Sequence, residues 1–187
     1  MAGEATSAVT LWWFPVGIEH RLSAITSRLW ERRVARGEGR MPVPLHHAAL
    51  EVHDGEMRRV IEMAPAWGEG SRGRGIVLTG PVHGLGRWGV RYEVRCAEGA
   101  MDVSRAGVAS GRESLPLDGS AVRHLEERIT TTPPMPWGSR PPGCVEMWNS
   151  NAFVAWLLSP FLPDVAALRP PPPGRAPGWN TGLVLAG

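Results

Sequence analysis

The segment from Trp148 to Leu158 predicts a helix with apolar side chains in nearly every direction, since its sequence is WNSNAFVAWLL. A helix without a polar face is stable in water only when other parts of the protein surround it. Asn149 or Ser150 is a natural N-terminal cap, and Pro160 ends the helix because proline cannot continue its hydrogen bonds. We therefore expect a fold built around a short buried helix.

Strands are indicated by short apolar or alternating stretches with turn residues between them. Asp54-Gly55 favours a hairpin, because glycine readily adopts the positive φ of a tight turn. We expect an antiparallel meander over residues 45–94, interrupted by a glycine-rich loop from Gly80 to Gly89. The predicted strands are Val9–Phe14, Leu45–Val52, Arg59–Met63, Ile76–Thr79, Val90–Val94 and a last strand in the sheet, Thr181–Ala186.

Two further helices are indicated by apolar residues at helical spacing. The first has an apolar stripe with arginines largely off it, as on a solvated face, and it ends at Gly37 and Gly39. The second runs from Ala121 to Ile129, with Ser120 as its expected cap. Residues 97–119 have only a weak pattern. The stripe of the first helix consists of Ile18, Leu22, Ile25, Leu29 and Val34, and the arginines are Arg21, Arg28, Arg32 and Arg33.

Together these elements predict an α+β fold, in which an antiparallel sheet packs against two or three helices. The chain has 187 residues, of which 43% are hydrophobic and 20% charged, so it suits one globular domain over residues 1–187. Twenty arginines oppose eighteen acidic residues without a basic block, so we expect no nucleic-acid partner. The absence of lysine suits a GC-rich bacterial genome.

Two cysteines, Cys96 and Cys144, are too few for a disulfide framework and form no CxxC motif. The apolar run Leu11–Ile18 is too short to cross a bilayer and contains a proline. No arginine precedes this run, so a signal peptide is not expected. We therefore expect a cytoplasmic protein without a membrane span. The sequence does not indicate whether the chain forms an oligomer.

Three residues could form an acyl-transfer site: His47 on a strand, Glu62 on its partner strand and Ser150 at the start of the buried helix. A nucleophile, a base and a carboxylate that orients the base are the groups such chemistry needs. The helix N-terminus adds backbone N–H groups and a positive dipole end that stabilise a developing anion. His46 should point to the opposite face of its strand, because strand side chains alternate.

These segments resemble the circularly permuted papain-like proteins, which include the lecithin:retinol acyltransferase family and permuted NlpC-type enzymes. The matching pieces are His47–Leu50, the turn at Asp54-Gly55, Glu62–Pro65 and Asn149–Phe153. The chain also resembles a subset of actinobacterial proteins with the motifs MWNSN…WLL and GRAPGW, present here as Met147–Leu158 and Gly174–Trp179. The resemblance implies a permuted papain-like topology.

Ser150 stands where the family has its nucleophilic cysteine. A helix N-terminus and an imidazolium lower a thiol pKa from about 8.5 enough to store a thiolate. A serine instead needs deprotonation during attack, by a neutral His47 that Glu62 holds. The resemblance thus implies a hydrolase or acyltransferase acting on an amide, ester or thioester, with a small-molecule, lipid or peptide ligand and without a cofactor or metal.

Other interpretations of the same residues stay open. One alternative is a catalytically inactive module that binds ligands in the same cleft, and another is a structural subunit that docks through tryptophans. Ser150 can be a plain helix cap, His47 a strand histidine with a backbone partner, and Glu62 a surface residue. Asn149 and Asn151 suggest specific hydrogen bonds, because the chain has only one other asparagine, Asn180.

Overall fold

The computed structural model describes residues 7–17, 21–55, 57–66 and 75–187. Within these ranges six strands form one sheet in the order β4-β5-β3-β2-β1-β6, and every neighbouring pair is antiparallel. The predicted α+β class is therefore confirmed, whereas the permuted papain-like topology stays a prediction. The strands are β1 (Ala8–Pro15), β2 (His46–Asp54), β3 (Met57–Ala66), β4 (Ile76–Pro81), β5 (Arg91–Glu98) and β6 (Gly111–Leu115).

The strand order differs from the predicted meander. The hairpin at Asp54-Gly55 joins β2 to β3 as expected, and Gly55 has a φ of 63°. However, β5 lies between β3 and β4, so β4 is at the edge of the sheet. These positions do not follow the hydrophobicity of the two segments. Tyr92 and Val94 of β5 are fully buried, whereas Ile76 and Val77 of β4, the more apolar segment, are exposed.

The helix α4, Ser150–Leu158, forms the centre of the fold, and all nine of its residues are buried. It packs on β2 and β3, with α3 (Gly119–Ile129) and α5 (Trp179–Ala186) against it. The predicted buried helix is confirmed, and of its two candidate caps Asn149 is the one observed. For α3 the expected cap was wrong, since Asp118 rather than Ser120 caps it.

The weakly patterned residues 97–119 contain two elements. The short helix α2 spans Val103–Val108 and buries none of its side chains. Strand β6 pairs with β1 and completes the sheet at that edge. The only buried residue of β6 is Leu115, so the strand leaves almost no hydrophobic period in the sequence.

The prediction of a last strand over Thr181–Ala186 was wrong, because this segment belongs to α5. A short apolar run fits a buried helix as well as a strand. None of the helices in the described ranges is both long enough and apolar enough to cross a bilayer.

Helix α1, Arg21–Gly37, exposes Ile25 and Leu29 of the predicted apolar stripe, while Val34 is half-buried. Ile25 and Leu29 are 55% and 59% exposed, while the inward face buries Glu31 and Ala35. Glu31 accepts hydrogen bonds from the Arg40 guanidinium and from the Val43 N–H, which satisfies its buried charge. The predicted stripe also includes Ile18 and the side chain of Leu22, which lie outside the described residues.

Candidate active site

A cleft opens where β2 and β3 separate. The pairing of these strands ends at Leu50 and Ile61. Beyond that point β2 stays paired with β1 as far as His46, and β3 stays paired with β5 as far as Ala66. The amino end of α4 meets this opening, and a cavity of about 1000 Å³ lies there.

Asn151 connects the two sides of the opening. Its Oδ1 accepts a hydrogen bond of 2.9 Å from the Ala48 N–H, and its Nδ2 donates to the His46 carbonyl at 2.9 Å. These are the backbone groups of β2 that β3 no longer pairs with. Since they lie on both sides of His47, the strand that carries the imidazole is fixed to the first turn of α4. The predicted approach of this strand to the amino end of the helix is therefore confirmed.

All three predicted site residues border the same cavity. Ser150 is the first residue of α4, His47 comes from β2 and Glu62 from β3. The side-chain oxygen of Asn149 caps the helix by accepting hydrogen bonds from the N–H groups of Asn151 and Ala152, at 3.0 and 3.1 Å. Asn149 does not cap the Ser150 N–H. This N–H therefore remains a candidate donor to an anion that forms beside the serine.

Glu62 is held in its ionised form by positive neighbours. Burial alone would raise the pKa of this carboxyl, but the imidazole of His47 and the guanidinium of Arg105 outweigh burial and lower the pKa to about 2. Glu62 Oε2 lies 2.8 Å from Arg105 and 3.8 Å from His47 Nε2. Because Nε2 faces the carboxylate, Nδ1 is the imidazole nitrogen available for other chemistry.

Two arginines complete the site, and the sequence analysis did not predict either of them. Arg105 comes from α2 and lies over the Phe14 ring, 5.1 Å from its centroid. Arg95 comes from β5, with NH1 4.0 Å from Glu62 Oε1 and NH2 2.6 Å from Glu93 Oε2. Both arginines border the cavity. Among twenty arginines, no spacing marks these two as site residues.

Aromatic and aliphatic side chains form much of the remaining wall, so the cavity suits a ligand with a substantial apolar part. Ser150, His47 and Glu62 are among the polar residues of the wall. The apolar wall includes Phe14, Val16, Trp30, Val108, Trp137 and Met147.

The other histidines and cysteines do not add to the site. His46 also borders the cavity, but it is buried, and burial lowers its pKa so that the ring stays neutral. It packs on Gly174, where an added Cβ would lie 2.4 Å from the imidazole. Cys96 and Cys144 are free thiols and do not line the cavity. Among the described residues, no three His, Cys, Asp or Glu side chains are grouped to hold a metal ion.

No protein-family model, no curated protein and no solved structure matches this chain.

Proposed function

We propose that the chain is a hydrolase or acyltransferase of the permuted papain-like class, with serine in place of cysteine, that acts on an amide, ester or thioester bond. The observation that supports this is the meeting of Ser150, His47 and Glu62 in one cavity, at the positive end of a buried helix. They come from three elements, of which α4 is far along the sequence from the β2–β3 hairpin. A nucleophile, a base and a carboxylate are the groups that acyl transfer uses.

In the proposed reaction, Ser150 Oγ attacks the carbonyl carbon of the substrate while His47 Nδ1 accepts the hydroxyl proton. The carbonyl electron pair moves to oxygen, and the Ser150 N–H and the helix dipole stabilise this oxyanion. Collapse of the intermediate expels the leaving group, which takes the proton from His47. Water or a second nucleophile then attacks the acyl-serine and gives its proton to His47. Collapse of this second intermediate breaks the bond between the acyl group and Ser150 Oγ, and the serine oxygen takes the proton back from His47.

Glu62 has two roles in this proposal. Its charge stabilises the imidazolium that forms when His47 accepts the proton, and its position favours the orientation with Nε2 toward the carboxylate. Arg105 keeps Glu62 ionised through a 2.8 Å hydrogen bond. The apolar wall of the cavity would bind the part of a small-molecule, lipid or peptide substrate that does not react.

A fluorophosphonate probe tests this function, because it phosphonylates an activated serine. We expect the native chain to be labelled, and Ser150→Ala to abolish labelling. Ser159→Ala is the matched control, since Ser159 lies at the other end of the same helix, and it should be labelled like the native chain. His47→Gln should slow labelling at least about 100-fold, the lower range for general-base catalysis. Labelling that persists in Ser150→Ala would contradict the proposal.

A second candidate, a catalytically inactive module that binds its ligand in the same cleft, is favoured by one observation. Glu62 Oε2 lies 1.0 Å closer to Arg105 than to His47 Nε2 (2.8 against 3.8 Å), so the carboxylate is held more by the guanidinium than by the imidazole. This candidate predicts no probe labelling of the native chain. It also predicts that Ser150→Cys folds with unchanged or raised stability, because no catalytic geometry is lost.

A further inference from the structure

The outward face of α1 combines exposed aliphatic side chains with arginines. Ile25 and Leu29 are more than half exposed, and Arg28, Arg32, Arg33 and Arg36 are exposed around them. The single acidic residue in α1, Glu31, is buried on the opposite side and paired with Arg40. Within the described part of the chain, no ion pair neutralises any of these four arginines.

Helical periodicity places these residues on one surface. Each residue turns the helix by about 100°. Glu31 and Ala35 face the protein, and Thr26, Ser27 and Trp30 face the cavity. At the centre of the remaining arc, Ile25 and Leu29 lie one turn apart, and Arg36 lies on the same line further along the helix. Arg28 and Arg32 lie on one side of this line, and Arg33 lies on the other side. We call this arc, with Ile25, Leu29 and the four arginines, the α1 outer face.

We propose that the α1 outer face docks on the surface of an anionic lipid bilayer. Arginines attract anionic headgroups, and the two aliphatic side chains between them gain free energy by entering the apolar boundary below those headgroups. A phosphodiester backbone offers no apolar boundary to bury Ile25 and Leu29, so a nucleic acid would use only the arginines of this face. A second copy of the chain would bring arginines against arginines across a twofold axis.

This inference does not rest on the proposed function, because the α1 outer face contains none of the proposed catalytic residues. It also requires no span, since a helix of this kind lies in the plane of the interface. The docked helix would place the cavity beside the bilayer, because its neighbouring face contributes Thr26, Ser27 and Trp30 to the cavity wall.

Flotation of the full chain with lipid vesicles tests the docking. We expect binding to vesicles of phosphatidylcholine with about one-third phosphatidylserine, little binding to phosphatidylcholine alone, and weaker binding as salt is raised. Each arginine contributes about fivefold to the partition coefficient, so Arg28→Gln/Arg32→Gln should lower it about 25-fold. Ile25→Ser/Leu29→Ser should also weaken binding at least about tenfold through lost apolar burial.

Matched variants distinguish binding through the α1 outer face from a general effect of surface charge or hydrophobicity on vesicle binding. Arg123→Gln/Arg140→Gln removes two exposed arginines elsewhere, and Val145→Ser/Val184→Ser removes two exposed valines. Both should bind vesicles like the native chain, and circular dichroism verifies that every variant is folded.

Four outcomes would overturn the proposal. These are no binding to anionic vesicles, equal loss in the α1 and control variants, binding to single-stranded RNA but not to vesicles, and a dimer in solution that Ile25→Ser/Leu29→Ser dissociates.

Discussion

Asn151 is the residue that joins the helix carrying Ser150 to the strand carrying His47. Its side chain is 3% exposed and makes three hydrogen bonds to the backbone, with Ala48, His46 and Pro177. One of these bonds needs an acceptor and two need donors. A carboxamide of this length supplies both, whereas aspartate lacks the donors and leucine lacks all three groups. The geometry of the site therefore depends on an amide at this position.

Replacing Asn151 with alanine should destabilise the fold strongly. The change leaves the Ala48 N–H and the His46 carbonyl without their partner in a buried region, where each unsatisfied group costs about 1–3 kcal/mol. The Pro177 carbonyl keeps its hydrogen bond from Asn149 Nδ2. We expect the free energy of unfolding, measured in urea, to fall by about 3–5 kcal/mol. Asn180→Ala is the control, because Asn180 is exposed, and it should change stability by less than about 0.5 kcal/mol. Equal effects in the two variants would show that Asn151 is not the connection we describe.

The sequence indicated some of this site and not the rest, for physical reasons that differ between residues. The rarity of asparagine marked Asn149 and Asn151 as special, but their partners lie up to 105 positions away and leave no local signal. Ser150 could be placed because a helix start has recognisable cap chemistry. Arg105 could not, because an arginine on an exposed six-residue helix has the same pattern whether or not it reaches a buried carboxylate.

At the level of elements, α5 shows why an apolar run near the C-terminus was assigned to the wrong structure. Residues 181–186 contain leucine and valine, which suit a strand, but the segment packs as a helix against α4. Gly182 allows the close approach, since an added Cβ there would lie 2.1 Å from the Ala152 carbonyl oxygen. When a sequence is examined for strands, a glycine only lowers the strand propensity of its segment. The sequence therefore could not reveal that Gly182 is needed for close packing between helices.

Gly182→Ala should destabilise the protein although alanine is the better helix former. The helix propensity gained is about 1 kcal/mol, but the new methyl group meets the Ala152 carbonyl and lies 2.8 Å from Ala155 Cβ, and such overpacking costs about 1–3 kcal/mol or more. We expect a lower thermal midpoint.

Gly107→Ala in α2 is the matched control. A Cβ at this position has no atom within 4 Å, so the thermal midpoint should stay the same or rise. A rise in Gly182→Ala as well would contradict the close packing of α5 on α4.

The local elements were predicted better than the order of the strands in the sheet. The buried helix and the β2–β3 hairpin were predicted correctly, because both depend on local pattern and turn chemistry. The insertion of β5 between β3 and β4 depends on pairing between residues up to 39 positions apart, Arg59 with Glu98. Local hydrophobicity does not indicate this order, since the edge strand β4 (IVLTGP) is more apolar than the inner strand β5 (RYEVRCAE).

For the whole molecule, the ionisable groups around the cleft couple stability to pH. The pKa of Glu62 is about 2 in the folded chain, below its usual 4.5, because His47 and Arg105 outweigh the effect of burial. The pKa of His46 is lowered from 6.5 by burial. Both groups bind a proton more readily in the unfolded chain, so both make the folded chain less stable as the pH falls. The effect of His46 begins below about pH 6.5, and that of Glu62 below about pH 5.

Glu62→Gln isolates the second of these effects. In the native chain, the free energy of unfolding should fall by about 3 kcal/mol between pH 5 and pH 2 because of Glu62, beyond what the other groups contribute. The variant should be less stable than the native chain at pH 7, because it lacks the ion pair with Arg105. It should also lose correspondingly less stability on acidification, because glutamine cannot titrate. Urea unfolding at half-unit pH steps measures both curves, and the two should converge toward pH 2. Parallel curves would mean that the Glu62 carboxyl keeps its ordinary pKa in the folded chain, and the electrostatic description of the cleft would then be wrong.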